Sequence, residues 1–146
     1  MYTIFEPKSK KDMESYFKLR WILLRRPWGG KRGTELDNFE ENSFHRAVKD
    51  SSNNIIGTAR IHFIDGIAQI RYMAIKKDFW NKGIGSRVII ELEKIADKHK
   101  IKKIFLNSRD NAVKFYKKNG YRTIKKVNSS FGDIVHYRME KVFNYD

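Results

Sequence analysis

The repeat of apolar positions changes several times along the chain, and each change marks an element. Residues Tyr2 to Phe5 alternate weakly, as an opening strand would. Ser9-Lys10-Lys11-Asp12 then resembles a capping box with an acid three residues after the serine, and Met13, Tyr16, Phe17, Arg20, Leu23 and Leu24 recur at helical spacing. This predicts a helix that packs one apolar face and stops at Pro27-Trp28-Gly29-Gly30. Lys31 to Asn42 offers only Leu36 and Phe39 as apolar anchors and reads as a loop with one helical turn. From Ser43 the period becomes two. Phe44 to Lys49, Ile55 to Phe63 and Ala68 to Ile75 form three strands separated by Ser51-Ser52-Asn53-Asn54 and Asp65-Gly66. An Asp-Gly pair between alternating runs signals a hairpin, because glycine accepts positive φ.

Past Gly85 the helical period returns. Val88, Ile89, Leu92, Ile95 and Ala96 share one face, while Glu91, Lys94, Asp97 and Lys98 lie elsewhere. A strand from Lys103 to Asn107 follows, then a short helix from about Asn111 to Lys118 stopped by Asn119-Gly120. Two last strands, Tyr121 to Val127 and Ile134 to Lys141, flank a polar turn at Asn128-Ser129-Ser130. The order predicts an α/β (α+β) fold, a mixed sheet with helices on its faces. The unit from Ala68 to Asn107 requires a right-handed crossover, which makes its two strands parallel.

Composition narrows the class. A length of 146 residues with 40% hydrophobic content predicts a single domain over 1–146. No run reaches the roughly 20 apolar residues of a membrane helix, and the N-terminus lacks the order of a signal peptide. A soluble cytoplasmic protein with no membrane partner is expected. The absence of cysteine closes disulfide, zinc-thiolate and cysteine-nucleophile chemistry. The net charge of +14 would attract nucleic acid, anionic lipid or a phosphorylated cofactor alike. Basic pairs at Lys10-Lys11, Arg25-Arg26, Lys76-Lys77, Lys102-Lys103, Lys117-Lys118 and Lys125-Lys126 are spread out, as solvated surface lysines and arginines would be. A nucleic-acid-binding basic domain stays open as an alternative on charge and 14% aromatic content, without a motif to support it.

Candidate chemistry begins where the strand ending at Ile75 runs through Lys76-Lys77-Asp78-Phe79-Trp80 into Asn81-Lys82-Gly83-Ile84-Gly85-Ser86 and a helix. Backbone N–H groups at such a helix start face outward unpaired, the helix dipole favours an anion, and Lys82 adds a cation. A pyrophosphate suits that place; a plain glycine turn linking strand to helix is the competing reading. The P-loop spacing is absent. The dinucleotide pattern fails too, because Val88 stands where its third glycine belongs.

Arg71-Tyr72-Met73-Ala74-Ile75, the loop Asn81 to Ser86, and Asn111-Ala112-Val113-Lys114-Phe115-Tyr116-Lys117-Lys118-Asn119-Gly120-Tyr121 together resemble the GNAT superfamily of acetyl-CoA-dependent N-acetyltransferases. The resemblance covers most of the chain and is strongest from Ile70 to Tyr121. It implies a mostly antiparallel sheet whose central parallel pair splays apart, acetyl-CoA as co-substrate, and no metal. It places backbone groups of Met73, Ala74 and Ile75 on the pantetheine and thioester, and Asn81, Lys82, Gly83, Ile84, Gly85 and Ser86 on the pyrophosphate. Asn111 matches a cofactor-contacting position and also reads as a helix N-cap.

Tyr116 matches the tyrosine that protonates the departing thiolate and lies at the cofactor; as an aromatic beside Phe115 it also suits plain core packing. The implied reaction is direct attack by a neutral amine, which requires a base. His136, in Gly132-Asp133-Ile134-Val135-His136-Tyr137-Arg138-Met139, is the first candidate, and half-buried strand packing is its alternative. Glu40, Glu41 and His62 are weaker candidates: the acids suit a solvated loop, and His62 could alternate outward between Ile61 and Phe63. The acceptor is a small-molecule or protein amine, met by the loop Trp28 to Thr34, and the positive field favours one bearing a carboxylate or phosphate. Superfamily habit also implies a homodimer. One departure stands out: the family usually has Gln or Arg three residues before the first loop glycine, where this chain has Trp80. Trp80 is the support for an alternative in which the fold senses acyl-CoA without catalysis.

Overall fold

Ser9 caps the first helix as its spacing predicts: its Oγ accepts the N–H of Asp12 at 3.0 Å. In the computed structural model, which describes residues 1–128 and 134–144, the chain runs β1 (Tyr2–Phe5), α1 (Lys10–Leu24), β2 (Ser43–Asp50), β3 (Ile55–Ile64), β4 (Ile67–Ile75), α2 (Ile84–Lys98), β5 (Lys103–Arg109), α3 (Val113–Lys118), β6 (Arg122–Asn128) and β7 (Val135–Val142). The loop after α1 holds two short 3₁₀ turns, Arg26–Trp28 and Glu40–Asn42. Of the polar turn expected at Asn128-Ser129-Ser130, Ser129 and Ser130 lie outside the described residues, as do Gly132 and Asp133 of the His136 segment. Among the described residues no helix is long and apolar enough to cross a membrane.

The strands form one seven-stranded sheet in the order β1-β2-β3-β4-β5-β7-β6. All neighbours are antiparallel except β4 and β5, the pair that α2 connects. That parallel pair is brief, with partners only at Ala68 with Ile104 and Gln69 with Phe105. Beyond it β4 stays with β3 as far as Ile75, and β5 stays with β7 as far as Arg109. The two central strands therefore part, and a cleft opens between Arg71–Ile75 and Leu106–Arg109.

A bulge sits on the β4 side of this cleft. Thr58 pairs with Ala74 and Arg60 with Arg71, so β4 carries one residue more than β3 across the interval. Tyr72 takes up the excess at φ 57°, and Thr58 Oγ1 donates to the Tyr72 carbonyl at 2.9 Å. The side-chain alternation slips in consequence: Arg71 and Tyr72 both face α1, while Met73 and Ile75 pack toward α2.

The two faces differ in character. On one, Val88, Ile89, Leu92 and Ala96 of α2 cover Ala59, Ile61, Ile70, Ile104, Leu106 and Met139, all buried. Each Ile or Leu so buried stabilises the fold by about 1.5–3 kcal/mol. The α1 face departs from the apolar packing expected of that helix. Arg20 and Arg60 are wholly buried there, tolerated because carboxylates come with them. Arg60 donates to Asp37 and to Glu40 at 2.9 Å, and Arg20 donates to Glu40 at 3.0 Å. Tyr16 completes the layer, donating to the Ala59 carbonyl at 2.8 Å.

Candidate active site at the splayed strands

The glycine loop has the geometry an anion needs. Asn81 and Gly83 both lie at positive φ, 62° and 78°, which asparagine and glycine adopt at least cost. Gly83 precedes α2 without a side-chain cap, and the N–H groups of Ile84, Gly85 and Ser86 donate to no backbone acceptor. A Cβ on Gly85 would stand 2.9 Å from the Phe115 ring, so glycine lets α3 seat against the first turn of α2. Lys82 is exposed, its Nζ 5.7 Å from the Phe79 ring centre. Trp80 has a definite partner: its indole N–H donates to the Ile75 carbonyl at 2.7 Å. The residue that departs from the family pattern thus closes the end of β4, and one side of the Ile75 carbonyl faces the indole.

Tyr116 lies on the α2 face of the cleft, 7% exposed, in edge contact with Phe115 and Tyr121 at ring separations of 5.0 and 6.1 Å. The packing reading of this residue is met, since it lies in the core. Its hydroxyl makes no hydrogen bond with any described residue. Burial pushes the phenol well above its usual range, so it keeps its proton. Asn111 is exposed in a 3₁₀ turn, Asp110–Ala112, and does not cap the following helix, whose cap position is Ala112. The helix begins two residues later than its spacing suggested, which removes the capping alternative.

His136 is paired across the ladder with Arg109, and alternation puts both on the face opposite Ile104, Leu106 and Met139. Tyr116 and His136 therefore flank the cleft from opposite faces of the sheet. The His136 Nδ1 is buried with no hydrogen-bond partner. Burial lowers its pKa, the Ile134 backbone partly offsets that, and Arg109, Arg25 and Arg71 lower it further. The imidazole is thus neutral at ordinary pH and able to accept a proton.

The weaker base candidates lie elsewhere. The Glu40 carboxylate is already bound by Arg20, Arg60 and the Asp37 N–H, and Glu41 is exposed in its 3₁₀ turn. His62 does not alternate out to solvent. It is 1% exposed, stacked on Phe39 at 4.3 Å, and beside Arg60 at 3.1 Å. Burial and that guanidinium push its pKa down to about 4.

Sequence reasoning gave no role to a set of guanidiniums at the cleft. The Tyr72 ring has Arg20, Arg71, Arg60 and Arg25 at 4.1, 4.6, 5.0 and 5.4 Å from its centre. Arg71 also donates to Asp37 at 2.8 Å, and Arg109 lies 5.6 Å from the Trp28 ring. The readable signal was a charge inside a strand: Arg60 and Arg71 interrupt apolar runs that a water-facing sheet would not explain. Trp28, half-exposed, brings the expected acceptor loop to the α1 side of the cleft. Among the described residues no group of His, Asp and Glu side chains could hold a metal ion.

Comparison with known proteins bears on the fold and the family. The chain is 27% identical over 134 residues to the uncharacterized N-acetyltransferase YjcF of Bacillus subtilis (strain 168), covering 92% of this chain and 95% of that one. Its fold is similar to an acetyltransferase of the GNAT family from Staphylococcus aureus Mu50, with TM-score 0.81, 21% identity, and 99% and 100% of the two chains covered. It is also similar to the PaiA N-acetyltransferase of Thermoplasma acidophilum in complex with coenzyme A, with TM-score 0.73, 17% identity, and 98% and 99% coverage. The model of the acetyltransferase (GNAT) family matches residues 13–121, from α1 through the glycine loop to the end of α3, and the chain belongs to that family.

Proposed function

We propose that the protein moves an acetyl group from acetyl-CoA to an amine nitrogen by direct attack, with Tyr116 and His136 working from the two faces of the cleft. Acyltransferase activity with coenzyme A chemistry follows from membership of the family. The site assignment rests on one observation above the rest: a protonated phenol and a neutral imidazole flank the gap between β4 and β5 from opposite sides. The coenzyme A complex of the Thermoplasma neighbour supports the same donor.

The thioester supplies an activated acyl carbon, and the protein's residues supply the rest. The first turn of α2, with Lys82 and Asn81, holds the pyrophosphate through N–H groups that have no other acceptor. Backbone groups of Met73, Ala74 and Ile75 flank the pantetheine at the bulge, where N–H donors polarise the thioester carbonyl as charge develops. His136 takes one proton from the acceptor ammonium, and the neutral amine forms the C–N bond as the C–S bond breaks. The Tyr116 hydroxyl gives its proton to the leaving sulfur, and the second proton lost by nitrogen replaces the one the phenol gave up. In this reading Asn111, exposed at the turn before α3, also contacts the cofactor.

Calorimetry with coenzyme A and thiol release from acetyl-CoA over a mixed amine panel test the reading. In Tyr116→Phe, turnover falls about tenfold or more while coenzyme A affinity changes little, an effect of about 1.4 kcal/mol on the barrier. Unchanged turnover would remove Tyr116 from the reaction. Tight coenzyme A binding without transfer to any amine would favour the sensing alternative.

A further inference from the structure

The last turn of α1 holds two guanidiniums on one oxygen. Arg25 Nη1 donates to the Leu24 carbonyl at 3.2 Å, and Arg109 Nη2 donates to the same carbonyl at 2.8 Å across 85 residues of chain. Two positive groups are thus brought within a few ångströms of each other. What lies between them is the partial charge of a helix C-terminus, only about half an electron. One guanidinium would be enough to satisfy that carbonyl. Arg109 has no carboxylate within ion-pair distance among the described residues, and the described bond uses one of the five N–H donors that a guanidinium carries.

The acids on this face are already bound. Asp37 takes Arg60 and Arg71, Glu40 takes Arg20 and Arg60, and Glu35 takes the Gly33 N–H and Arg32. Arg71 and the buried, unpartnered Nδ1 of His136 complete the surroundings. A simple cationic amine approaching His136 would meet the positive charge of Arg109, which no described carboxylate offsets, with Arg25 and the Asp37-paired Arg71 beside it. An acceptor carrying its own negative charge removes that repulsion and matches the planar guanidinium fork.

We infer that the acceptor amine also bears an oxyanion group, a carboxylate or a phosphate, and that Arg109 together with Arg25 receives that group on the α1 face of the cleft. This rests on the acetyl-transfer reading above and narrows its substrate class. Burial and the charge of Arg25 both weigh against the cation at Arg109, which an incoming anion would relieve.

Coenzyme A binding is measured first, so that failure of the enzyme reading shows separately. The protein with coenzyme A added, to cover the glycine loop, is then titrated with inorganic phosphate and separately with succinate. The readout is the arginine Nε–H NMR signals, with sodium chloride at matched ionic strength as reference. Saturable shifts of the Arg25 and Arg109 signals are expected, and the stronger of the two probes identifies the anion. Arg109→Gln abolishes the shift at Arg25; Arg109→Lys, which keeps the charge, retains part of it. Matched acceptor pairs form the second arm: amino acids against their carboxamides, and phosphoethanolamine against ethanolamine. The anionic member has about tenfold or higher kcat/KM, and Arg109→Gln removes most of that advantage through KM. Shifts no larger than with sodium chloride, or a neutral member used as well as its anionic partner, overturn the inference. The wild-type titration needs no variant to fold.

Discussion

Asp37 shows how one side chain holds an unlikely layer together. Burial disfavours its charge, but hydrogen bonds from Arg60 and the Phe39 N–H, with the charges of Arg60 and Arg71, outweigh that and hold the carboxyl well below its usual range. An acid whose folded pKa is depressed contributes stability that is complete above its unfolded value of about 3.9. That contribution is lost as pH falls toward the folded value. Wild-type urea midpoints should therefore drop below about pH 4. Asp37→Asn should lose about 3 kcal/mol at neutral pH and show a flatter acid dependence, because Arg60 is left buried with Glu40 alone. The His136 pKa is lowered too, by burial and three arginines, and there the lowering favours the neutral form. The acid limb of kcat/KM should have its midpoint below about 6.5. In His136→Gln that limb should vanish and turnover fall about a hundredfold. An unchanged pH profile would assign the proton to another group.

At the scale of elements, the start of α2 and the start of α3 are one assembly. Gly85→Ala would press a methyl group against the Phe115 ring, which must shift to make room at the seat of α3 on α2. Coenzyme A affinity and turnover should both fall, read by calorimetry and thiol release. Gly83→Ala has open space around it and suffers only from its positive φ, about 1–2 kcal/mol of strain confined to the loop. Its effect should appear in affinity with little change in turnover. Much of this architecture was legible along the chain. The Asp65-Gly66 hairpin, the α2 stripe and the crossover are local patterns with local causes, and their elements form within a few residues of the predicted ends. The bulge at Tyr72 was not legible, because it exists only in the register between β3 and β4. Nor was the arginine layer, since its counter-ions Asp37 and Glu40 come from a loop with no periodicity. Tyr116 and Asn111 could be named from the family pattern, yet only the fold separates their packing from their exposure.

For the whole molecule, the parting of β4 from β5 leaves one cleft that both faces of the sheet adjoin. The glycine loop and Tyr116 belong to its α2 side, while His136, Arg109 and Trp28 belong to its α1 side. On the proposed reaction, donor and acceptor enter and leave by different doors, and neither needs the other's exit to be clear. That reading lets spent coenzyme A remain in place while a fresh amine arrives. Initial-rate studies should show coenzyme A inhibiting competitively against acetyl-CoA but noncompetitively against the amine. The acetylated product should show the reverse pattern. Competition of coenzyme A with both substrates would mean a single shared entrance. With two entrances, a stalled complex holding coenzyme A and unreacted amine should accumulate at high amine concentration, and substrate inhibition by the acceptor alone would reveal it.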